Sequence, residues 1–467
     1  MMSHAAQRKT PATPAAIIVR RPWGGAPFGE VGTASAADIG RAVARAKGAQ
    51  RDFRLSTPFQ RRTLLDALAS RIAAQAEELA RIICAEVGKT IREARNEVRR
   101  AQNTLRLSGD AATFLDGEVL HCGIVSGGVD RHASITWQPV GVVAAVTPFN
   151  YPLNLLCHKL GPAIAAGNAV VAKPSPKAPL AAARLAELAV EAGFPEGLFQ
   201  VIHGGAEAAL ALARAPIDLL SFTGGPAAGL ALKNASGLVR CLMELGGNDP
   251  LFVLPDADLD RAVATAVAHR FEIAGQSCAA VKKLYLHRDI EAEFTERLLS
   301  AVAAVRTGDP ERDDTDMGPV IDEDAAAVVE RRVHATLAGG AKLLAGGGRS
   351  GTLVEPTVLA RVVADAPLIA EETFGPVIAI RTFVDADDAI AEVNAGPYGL
   401  QAGVFTNDHA LIKQFSRDLA VGGVMVNEGP DFRAEHVPFG GIKSSGLGRE
   451  GVRIALREMS ETRVVID

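Results

Sequence analysis

Cysteine is scarce in this sequence of 467 residues, which contains only five, at positions 84, 122, 157, 241 and 278. The five form no Cys-x-x-Cys pair and no regular framework. A disulfide scaffold is therefore excluded, and a reducing compartment is favoured. The same scarcity gives no metal-ligand spacing, so we expect no metal site.

The sequence also lacks an excess of basic residues and lacks long apolar runs. Lysine and arginine together number 49 against 54 acidic residues, for a net charge of -5, which argues against a nucleic-acid partner. No apolar run reaches the ~18 residues of a membrane span, so no membrane partner is expected. The first 16 residues, MMSHAAQRKTPATPAA, lack the apolar core of a secretory signal and read as a loose tail. We therefore expect a cytoplasmic protein.

What is present indicates a globular chain of more than one domain. Hydrophobic residues make up 48% and charged residues 22%, and the length suggests two large domains or three ordinary ones. Residues 37–106 are predicted to be helical, because apolar residues recur there at three- and four-residue spacing. The stretch ASITWQPV, residues 133–140, alternates and carries β-branched and aromatic residues, which predicts a strand.

From residue 141 onward the pattern alternates between buried strands and helices. GVVAAVTPF, NAVVAKPS, LFQVIHG and LLSFTGG read as strands, with helical patterns between them. Such alternation predicts an α/β fold with a doubly wound parallel sheet. A second α/β region is predicted over residues 247–444. The β-prone end, TRVVID, would pair with the strand near residue 135 into a small projecting sheet of the kind that often forms an oligomer contact.

Unusual residues stand where several of these strands end. In a doubly wound sheet the carboxyl ends of the strands form the ligand crevice. Lys173 in VVAKPS could reach ribose hydroxyls or a phosphate, and Gly224 and Gly225 in SFTGG would let backbone N–H groups approach a pyrophosphate. The glycines alone are equally compatible with an ordinary tight turn. The spacing is GGPAAG, so a plain Gly-x-Gly-x-x-Gly fingerprint is absent.

Three further residues suggest covalent catalysis. Cys278 lies in GQSCAAV, and a lone cysteine in such a context is more often inert packing than a nucleophile. Glu244 lies among apolar neighbours in LMELGGND, where the pKa of a carboxyl tends to rise and suit a general base. Asn150 in TPFNYP carries an amide that can donate to an oxygen. Together they supply a nucleophile, a base and an oxyanion donor.

These motifs occur in a characteristic order. In order and separation, over residues 17–465, seven motifs resemble those of the aldehyde dehydrogenase superfamily. They are TPFNYPLN, AKPS, FTGG, ELGGN, GQSC, EETFGPV and VPFGGIKSSGLGREG. The resemblance implies a Rossmann-like cofactor domain (1–119 and 140–246), a catalytic α/β domain (247–444) and a small β oligomerisation segment (120–139 and 445–467). It also implies a homodimer or homotetramer.

The resemblance assigns the chemistry residue by residue. Cys278 would attack an aldehyde carbon as a thiolate, and the Asn150 amide with the Cys278 backbone N–H would hold the oxyanion. Hydride transfer to a nicotinamide would leave a thioester, and Glu244 would activate the water that hydrolyses it. The presence of Glu244 argues against the CoA-acylating branch of the family.

The cofactor implied is NAD or NADP. Many NAD-preferring members place a glutamate three residues after the lysine, where it binds the adenosine ribose, but here that position is Pro176. A 2′-phosphate is then no longer repelled, and Ser175 and Lys177 could attract it. The residues that match cofactor-lining positions are Thr147, Pro148, Phe149, Lys173, Ser175, Pro176, Thr223, Gly224, Gly225, Leu245, Gly246, Glu372 and Phe374.

Within the superfamily the sequence looks most like the lactaldehyde and phosphonoacetaldehyde dehydrogenase branch. Arg433 and Arg100 would border the substrate pocket, where guanidinium groups favour an anionic tail, although Arg100 could equally be a surface charge. Phosphonoacetaldehyde dehydrogenases tend to carry arginine before the cysteine and histidine after the asparagine, whereas Ser277 and Tyr151 stand here. Ser277, Tyr151 and Phe439 complete the expected substrate-binding set.

Several functions therefore stay open at this point. The main hypothesis is NAD(P)-dependent oxidation of a small anionic aldehyde, such as phosphonoacetaldehyde or a semialdehyde, or of the less charged lactaldehyde. A general aldehyde dehydrogenase of broad range is one alternative. A non-catalytic binding or structural relative is another, and the joint presence of Cys278, Glu244 and Asn150 argues against it.

Overall fold

The computed structural model describes residues 16–467, and the predicted loose tail lies outside them except for its last residue. The helices are α1 (Ala36–Phe53), α2 (Pro58–Ala74), α3 (Ala76–Val87), α4 (Ile91–Ala111), α5 (Asn154–Ala166), α6 (Leu180–Glu191), α7 (Ala206–Arg214), α8 (Pro226–Ser236), α9 (Leu259–Phe271), α10 (Glu291–Ala303), α11 (Glu323–Ala338), α12 (Pro367–Ala370), α13 (Ala386–Ala395), α14 (His409–Asp418) and α15 (Val452–Glu458). The strands are β1 (Ala16–Arg20), β2 (Pro27–Gly32), β3 (Glu118–His121), β4 (His132–Pro139), β5 (Val142–Val146), β6 (Ala169–Lys173), β7 (Phe199–Val201), β8 (Leu219–Thr223), β9 (Arg240–Glu244), β10 (Pro250–Val253), β11 (Lys283–His287), β12 (Lys342–Ala345), β13 (Arg349–Ser350), β14 (Leu353–Val354), β15 (Thr357–Ala360), β16 (Val377–Phe383), β17 (Gln401–Phe405), β18 (Gly423–Val426), β19 (Gly446–Leu447) and β20 (Ser460–Ile466).

The first α/β domain is built on a six-stranded sheet of order β19-β9-β8-β5-β6-β7. Strands β5 to β9 are parallel, and only the two-residue β19 runs antiparallel to its neighbour. Strands β5, β6 and β8 are buried along their whole length, because helices pack on the sheet and the sequences VVAAV, AVVAK and LLSFT are apolar almost throughout. The predicted doubly wound parallel sheet is confirmed.

The strand order creates a crevice at one point of this sheet. From β5 the chain moves outward through β6 to β7, and it then returns to the other side of β5 to form β8 and β9. The order therefore reverses between β5 and β8. Ligands of doubly wound sheets bind at such a reversal, beyond the carboxyl ends of the strands. The segments TPFN and GG lie there, because they follow β5 and β8 directly.

A layer of four N-terminal helices covers part of this domain. Helices α1 to α4 span the region predicted to be helical from the three- and four-residue spacing. α4 begins with a capping box, in which Thr90 and Glu93 bond to each other's backbone N–H groups. It packs against α2, α3 and α5.

The second α/β domain is built on a seven-stranded sheet of order β12-β15-β16-β11-β10-β17-β18. All neighbouring strands in it are parallel except the edge pair β12 and β15. The loop that carries Cys278 connects α9 to β11, a central strand. A rigid central strand therefore fixes one end of this loop.

The third part is a three-stranded antiparallel sheet of order β20-β4-β3. Its strands come from residues 118–139 and 460–466, in line with the predicted pairing of the C-terminal strand with the strand near residue 135. Residues 446–458 lie elsewhere, because β19 pairs with β9 and α15 packs on α4 and α5 in the first domain. The part of 445–467 that belongs to the projecting sheet is therefore the last strand.

A bilayer-crossing helix would need a longer and more apolar stretch than any helix within residues 16–467 provides.

Candidate active site

The loop that carries Cys278 is held by side chains from several directions. Just before it, Ile273 and Ala274 adopt left-handed backbone angles (φ of 50° and 51°), which turn the chain sharply away from α9. Asn150 Nδ2 donates a hydrogen bond to the Gln276 carbonyl at 2.9 Å. Lys282 Nζ donates to the carbonyl of Ser277 at 2.9 Å and also to that of Cys278. These bonds leave the Cys278 side chain facing a cavity.

Glu244 is the last residue of β9 and is only 3% exposed. Its Oε1 atom has no hydrogen-bond partner among the described residues. Burial, followed by the nearby charge of Glu450, raises the pKa of Glu244 to about 8. A carboxyl with this pKa can accept and release a proton near neutral pH, which is what a general base requires.

Cys278 is a protonated thiol at neutral pH in this structure. Burial raises the pKa of Cys278 well above its usual value, and the charges of Glu244 and Asp431 add to the effect. Lys282 acts in the opposite direction. Glu244 raises the pKa of the Cys278 thiol, and Cys278 in turn lowers the pKa of the Glu244 carboxyl. Thiolate formation therefore requires a proton acceptor, and Glu244 is positioned to be one.

The three predicted catalytic residues line one cavity of about 390 Å³. The other predicted site residues that line it are Arg100, Pro148, Phe149, Tyr151, Thr223, Gly224, Gly225, Leu245, Gly246, Ser277, Glu372, Phe374, Arg433 and Phe439. Four predicted residues, Thr147, Lys173, Ser175 and Pro176, do not line this cavity. They lie at or just after the ends of β5 and β6, along the same edge of the sheet.

Sequence reasoning missed six lining residues: Asn154, Leu155, Ala325, Val328, Arg332 and Asp431. Three of them belong to α11, which carries no motif. Asp431 stands two positions before Arg433 in the stretch DFRAEHVPFGG, so its nearness to a predicted residue is a usable signal in the sequence.

The crevice beyond the strands fits a dinucleotide. Helix α8 begins at Pro226, and Gly225 before it provides no side-chain cap, so the free N–H groups of the first turn after the proline are available to a pyrophosphate. The Thr147 hydroxyl is buried and has no partner among residues 16–467. Lys173 Nζ donates to the Gly204 carbonyl at 3.1 Å, and burial lowers the pKa of this lysine to about 8. Such a lysine gains from a further polar partner.

The side chain of Glu372 lies next to Gly246, which follows the last residue of β9 by two positions. Its Oε1 accepts a hydrogen bond from the Gly247 N–H at 3.0 Å, and a Cβ atom on Gly246 would lie 2.0 Å from its Oε2. A side chain at position 246 would displace the Glu372 carboxylate from this position. Arg332 supports the same segment, because its guanidinium donates to the Glu372 carbonyl.

The two arginines of the cavity are each paired with a carboxylate. Arg100 Nε donates to Glu435 at 2.7 Å, and the other oxygen of Glu435 lies 2.5 Å from His158 Nε2. Arg433 Nη2 donates to Glu450 at 2.8 Å.

Glu450 is itself the centre of a buried network, and it also accepts from Lys159 at 2.9 Å and from Thr223 at 3.0 Å. Although burial opposes ionisation of Glu450, the positive charges of Lys159 and Arg433 hold its pKa far below the usual value. An ionised carboxylate therefore lies permanently near Glu244.

Comparison with known proteins agrees with this geometry. The model of the aldehyde dehydrogenase family matches residues 10–465. The chain is 40% identical over 442 residues to the 3-sulfolactaldehyde dehydrogenase of Priestia aryabhattai, covering 94% of this chain and 92% of that protein. It is 38% identical over 446 residues to the sulfoacetaldehyde dehydrogenase of Neptuniibacter caesariensis, covering 95% and 98% of the two chains.

A solved structure is similar over nearly the whole chain. The NADP-dependent glyceraldehyde-3-phosphate dehydrogenase of Bacillus halodurans, complexed with NADP, superposes with a TM-score of 0.95 at 35% identity. The match covers 98% of this chain and 96% of that one. The chain therefore belongs to the aldehyde dehydrogenase family, and it is an oxidoreductase that acts on aldehydes.

Proposed function

We propose that this chain oxidises a small anionic aldehyde to its carboxylic acid, with NAD or NADP, through covalent intermediates on Cys278. The observation that carries the proposal is the convergence of Cys278, Glu244 and Asn150 on one cavity whose wall also holds Arg100 and Arg433. A nucleophile, a base and an oxyanion donor account for the chemistry, and the arginines account for the charge of the substrate.

In the first half of the reaction, the Cys278 thiol transfers its proton to Glu244 and the thiolate adds to the aldehyde carbon. The carbonyl π electrons move to the oxygen, which becomes an oxyanion. One amide hydrogen of Asn150 is held by the Gln276 carbonyl, and the other is available to the oxyanion together with the Cys278 backbone N–H. The dinucleotide, when bound, supplies the hydride acceptor that converts the adduct to a thioester.

In the second half, Glu244 releases its first proton to solvent and then removes one from a water molecule. The resulting hydroxide attacks the thioester carbon, and the sulfur of Cys278 leaves as the carboxylic acid forms. The pKa of about 8 for Glu244 supports both transfers, because the group changes charge near neutral pH.

The dinucleotide would be held along the carboxyl edge of the first sheet. Thr147, Pro148, Phe149, Lys173, Ser175 and Pro176 would contact its adenosine half or the ribose next to it. Thr223, Gly224, Gly225, Leu245, Gly246, Glu372 and Phe374 would contact the pyrophosphate and the nicotinamide half. Pro176 leaves room for a 2′-phosphate, which supports the use of NADP as well as NAD.

The substrate would carry a sulfonate, phosphonate or carboxylate. Arg100 and Arg433 each have N–H groups beyond the single bond that links them to Glu435 and Glu450. An anionic tail could therefore share these arginines. The names of two relatives, which act on sulfonated aldehydes, support this class. Tyr151, Ser277 and Phe439 would complete the walls.

The test is to follow reduced-cofactor absorbance with purified protein, with NAD and NADP in parallel. The panel would contain sulfoacetaldehyde, phosphonoacetaldehyde, lactaldehyde, succinate semialdehyde and propanal, and Cys278→Ala would serve as the inactive control. We expect anionic aldehydes to give the highest kcat/KM. Better turnover of propanal would replace the proposal with a general aldehyde oxidiser. A lack of turnover with all substrates, together with an iodoacetamide-resistant Cys278, would favour the non-catalytic alternative.

We further propose that the chain works in the cytoplasm as a homodimer or homotetramer. The projecting sheet supports self-association, because Val119, Val464, Val465 and Ile466 are each more than half exposed on it. Light scattering on Val464→Asp with Ile466→Asp should give a smaller particle than the unaltered protein. An unchanged mass would place the interface elsewhere.

The five scattered, unpaired cysteines support a reducing compartment.

A further inference from the structure

Asp431 has no part in the chemistry described above, yet it lines the cavity. It lies in the loop after β18, two residues before Arg433. Its Oδ1 accepts a hydrogen bond from the hydroxyl of Ser277, the neighbour of Cys278, at 3.0 Å. Its Oδ2 is buried and has no hydrogen-bond partner among the described residues. A buried carboxylate oxygen without a hydrogen-bond partner can accept a hydrogen bond from a ligand.

The charge of Asp431 works against the nucleophile. It raises the pKa of Cys278, after burial and Glu244, and so disfavours the thiolate. It is also the largest contribution after burial to the pKa of Glu272, which rises to about 7. Neither cavity arginine is paired with Asp431, because Arg100 binds Glu435 and Arg433 binds Glu450. A negative charge in the cavity wall that opposes formation of the thiolate is better explained by a role in recognising the substrate.

We propose that Asp431 selects aldehydes that carry a hydrogen-bond donor, a hydroxyl or an ammonium group, on a carbon close to the reacting carbonyl. The proposal rests on the function proposed above and narrows its substrate class. The carbonyl lies at Cys278, the anionic tail extends to Arg100 or Arg433, and the donor reaches Asp431 Oδ2. The donor must be near the carbonyl because Ser277, which holds the other oxygen of Asp431, is adjacent to Cys278 in the chain.

The experiment compares aldehydes that differ only in the donor. Lactaldehyde is propanal with a hydroxyl group, and aspartate semialdehyde is succinate semialdehyde with an ammonium group. We expect the intact protein to prefer at least one donor-bearing member of these pairs by about tenfold or more in kcat/KM, as for a hydrogen bond to a charged group. Asp431→Ala should reduce that preference to near unity while the donor-free aldehydes are still oxidised.

Asp431→Asn separates the two kinds of donor. It keeps an acceptor oxygen and removes the charge, so a preference for hydroxyl should largely survive and a preference for ammonium should be lost. Asp388→Asn makes the same chemical change at an exposed position on α13 outside the cavity, and it should leave both ratios unaltered.

Two results would overturn the inference. One is an intact protein that oxidises both members of each pair equally. The other is an Asp431→Ala variant that keeps in full whichever preference the intact protein shows. Failure of the proposed function looks different, because the intact protein would then oxidise propanal better than the anionic aldehydes, or oxidise no aldehyde of the panel, before any variant is compared. Continued turnover of propanal by the variants shows that they are folded.

Discussion

Glu244 and Cys278 line the same cavity, and the charge of Glu244 raises the pKa of the Cys278 thiol. Both groups are buried, and burial is the main reason why the pKa of each is raised. At neutral pH the base is therefore mostly protonated, and the surroundings favour the thiol form of the nucleophile. The resting site is therefore inactive until the carboxyl of Glu244 loses its proton.

This relationship predicts a pH dependence. Because the pKa of Glu244 is raised to about 8, its carboxylate form is the minor one below that pH and dominates above it. The value of kcat/KM should rise by up to about tenfold per pH unit below pH 8 and then level off. Glu244→Gln should remove the rise and leave at most one reduced cofactor per site, because thioester hydrolysis needs the base. A flat profile in the unaltered protein would contradict Glu244 as the base.

Arg433→Ala should move that profile to higher pH. Arg433 lowers the pKa of Glu244 and is also paired with Glu450, whose charge raises it. Its removal takes away a favourable charge and leaves Glu450 with Lys159 as its remaining cationic partner. We expect the midpoint of the profile to shift upward with every aldehyde, whether charged or neutral, because the effect acts on the base. A midpoint that does not move would show that Arg433 acts on the substrate alone.

Arg100→Ala should act on one class of substrate. The largest influences on the pKa values of Glu244 and Cys278 come from other groups, whereas Arg100 lies in the cavity wall. Loss of a charge-assisted hydrogen bond should lower kcat/KM for anionic aldehydes by about tenfold or more. Propanal turnover and the pH midpoint should change little. Arg106→Ala, on the same helix outside the cavity, is the matched control. Equal losses with charged and neutral aldehydes would contradict a role in substrate recognition.

The parts of the fold that could be predicted from sequence are those with a strong local signal. The strands β5, β6 and β8 are short apolar runs that end in polar motifs, and helices with clear periodicity separate them. The same strand ends carry the candidate cofactor residues. Glu244 and Cys278 could be proposed because their motifs are unusual. The strand β9 that positions Glu244, with the sequence RCLME, has no alternation that would mark it as a strand.

What could not be predicted depends on contacts between distant parts of the chain. The partner of Arg100 is Glu435, 335 positions away, and Glu435 also binds His158 from a third segment. No local pattern indicates that either arginine would be paired. The division of residues 445–467 between two sheets depends in the same way on α15 packing against α4 and α5. The role of Lys282 could not be predicted either, because it depends on the hydrogen bond that its amino group donates to the Ser277 carbonyl in the cysteine loop.

Lys282→Met should slow the reaction of Cys278. The buried Lys282 side chain holds the carbonyls of Ser277 and Cys278, and its charge lowers the pKa of the thiol. Methionine has a similar length but lacks both the donors and the charge. We expect iodoacetamide labelling of Cys278 to slow and kcat/KM to fall by about 10- to 100-fold. Lys413→Met, at an exposed position of α14, should leave both rates unaltered. Unchanged labelling would mean that Lys282 does not influence the thiol.

Pro176→Glu should shift the cofactor preference toward NAD. The half-buried Pro176 follows the end of β6 by three residues, and the neighbouring Lys177 is tied to Asp322 at 2.5 Å rather than to position 176. A carboxylate here would repel a 2′-phosphate by roughly 1–2 kcal/mol, or about tenfold, and could accept hydrogen bonds from the ribose hydroxyls of NAD. The ratio of kcat/KM for NADP to that for NAD should therefore fall by about tenfold or more. Pro176→Ala is the matched control, because it removes the ring without adding charge, and it should leave the ratio nearly unchanged. Equal changes in the two variants would assign the effect to the backbone. An unaltered ratio in Pro176→Glu would place the adenosine ribose away from this strand end.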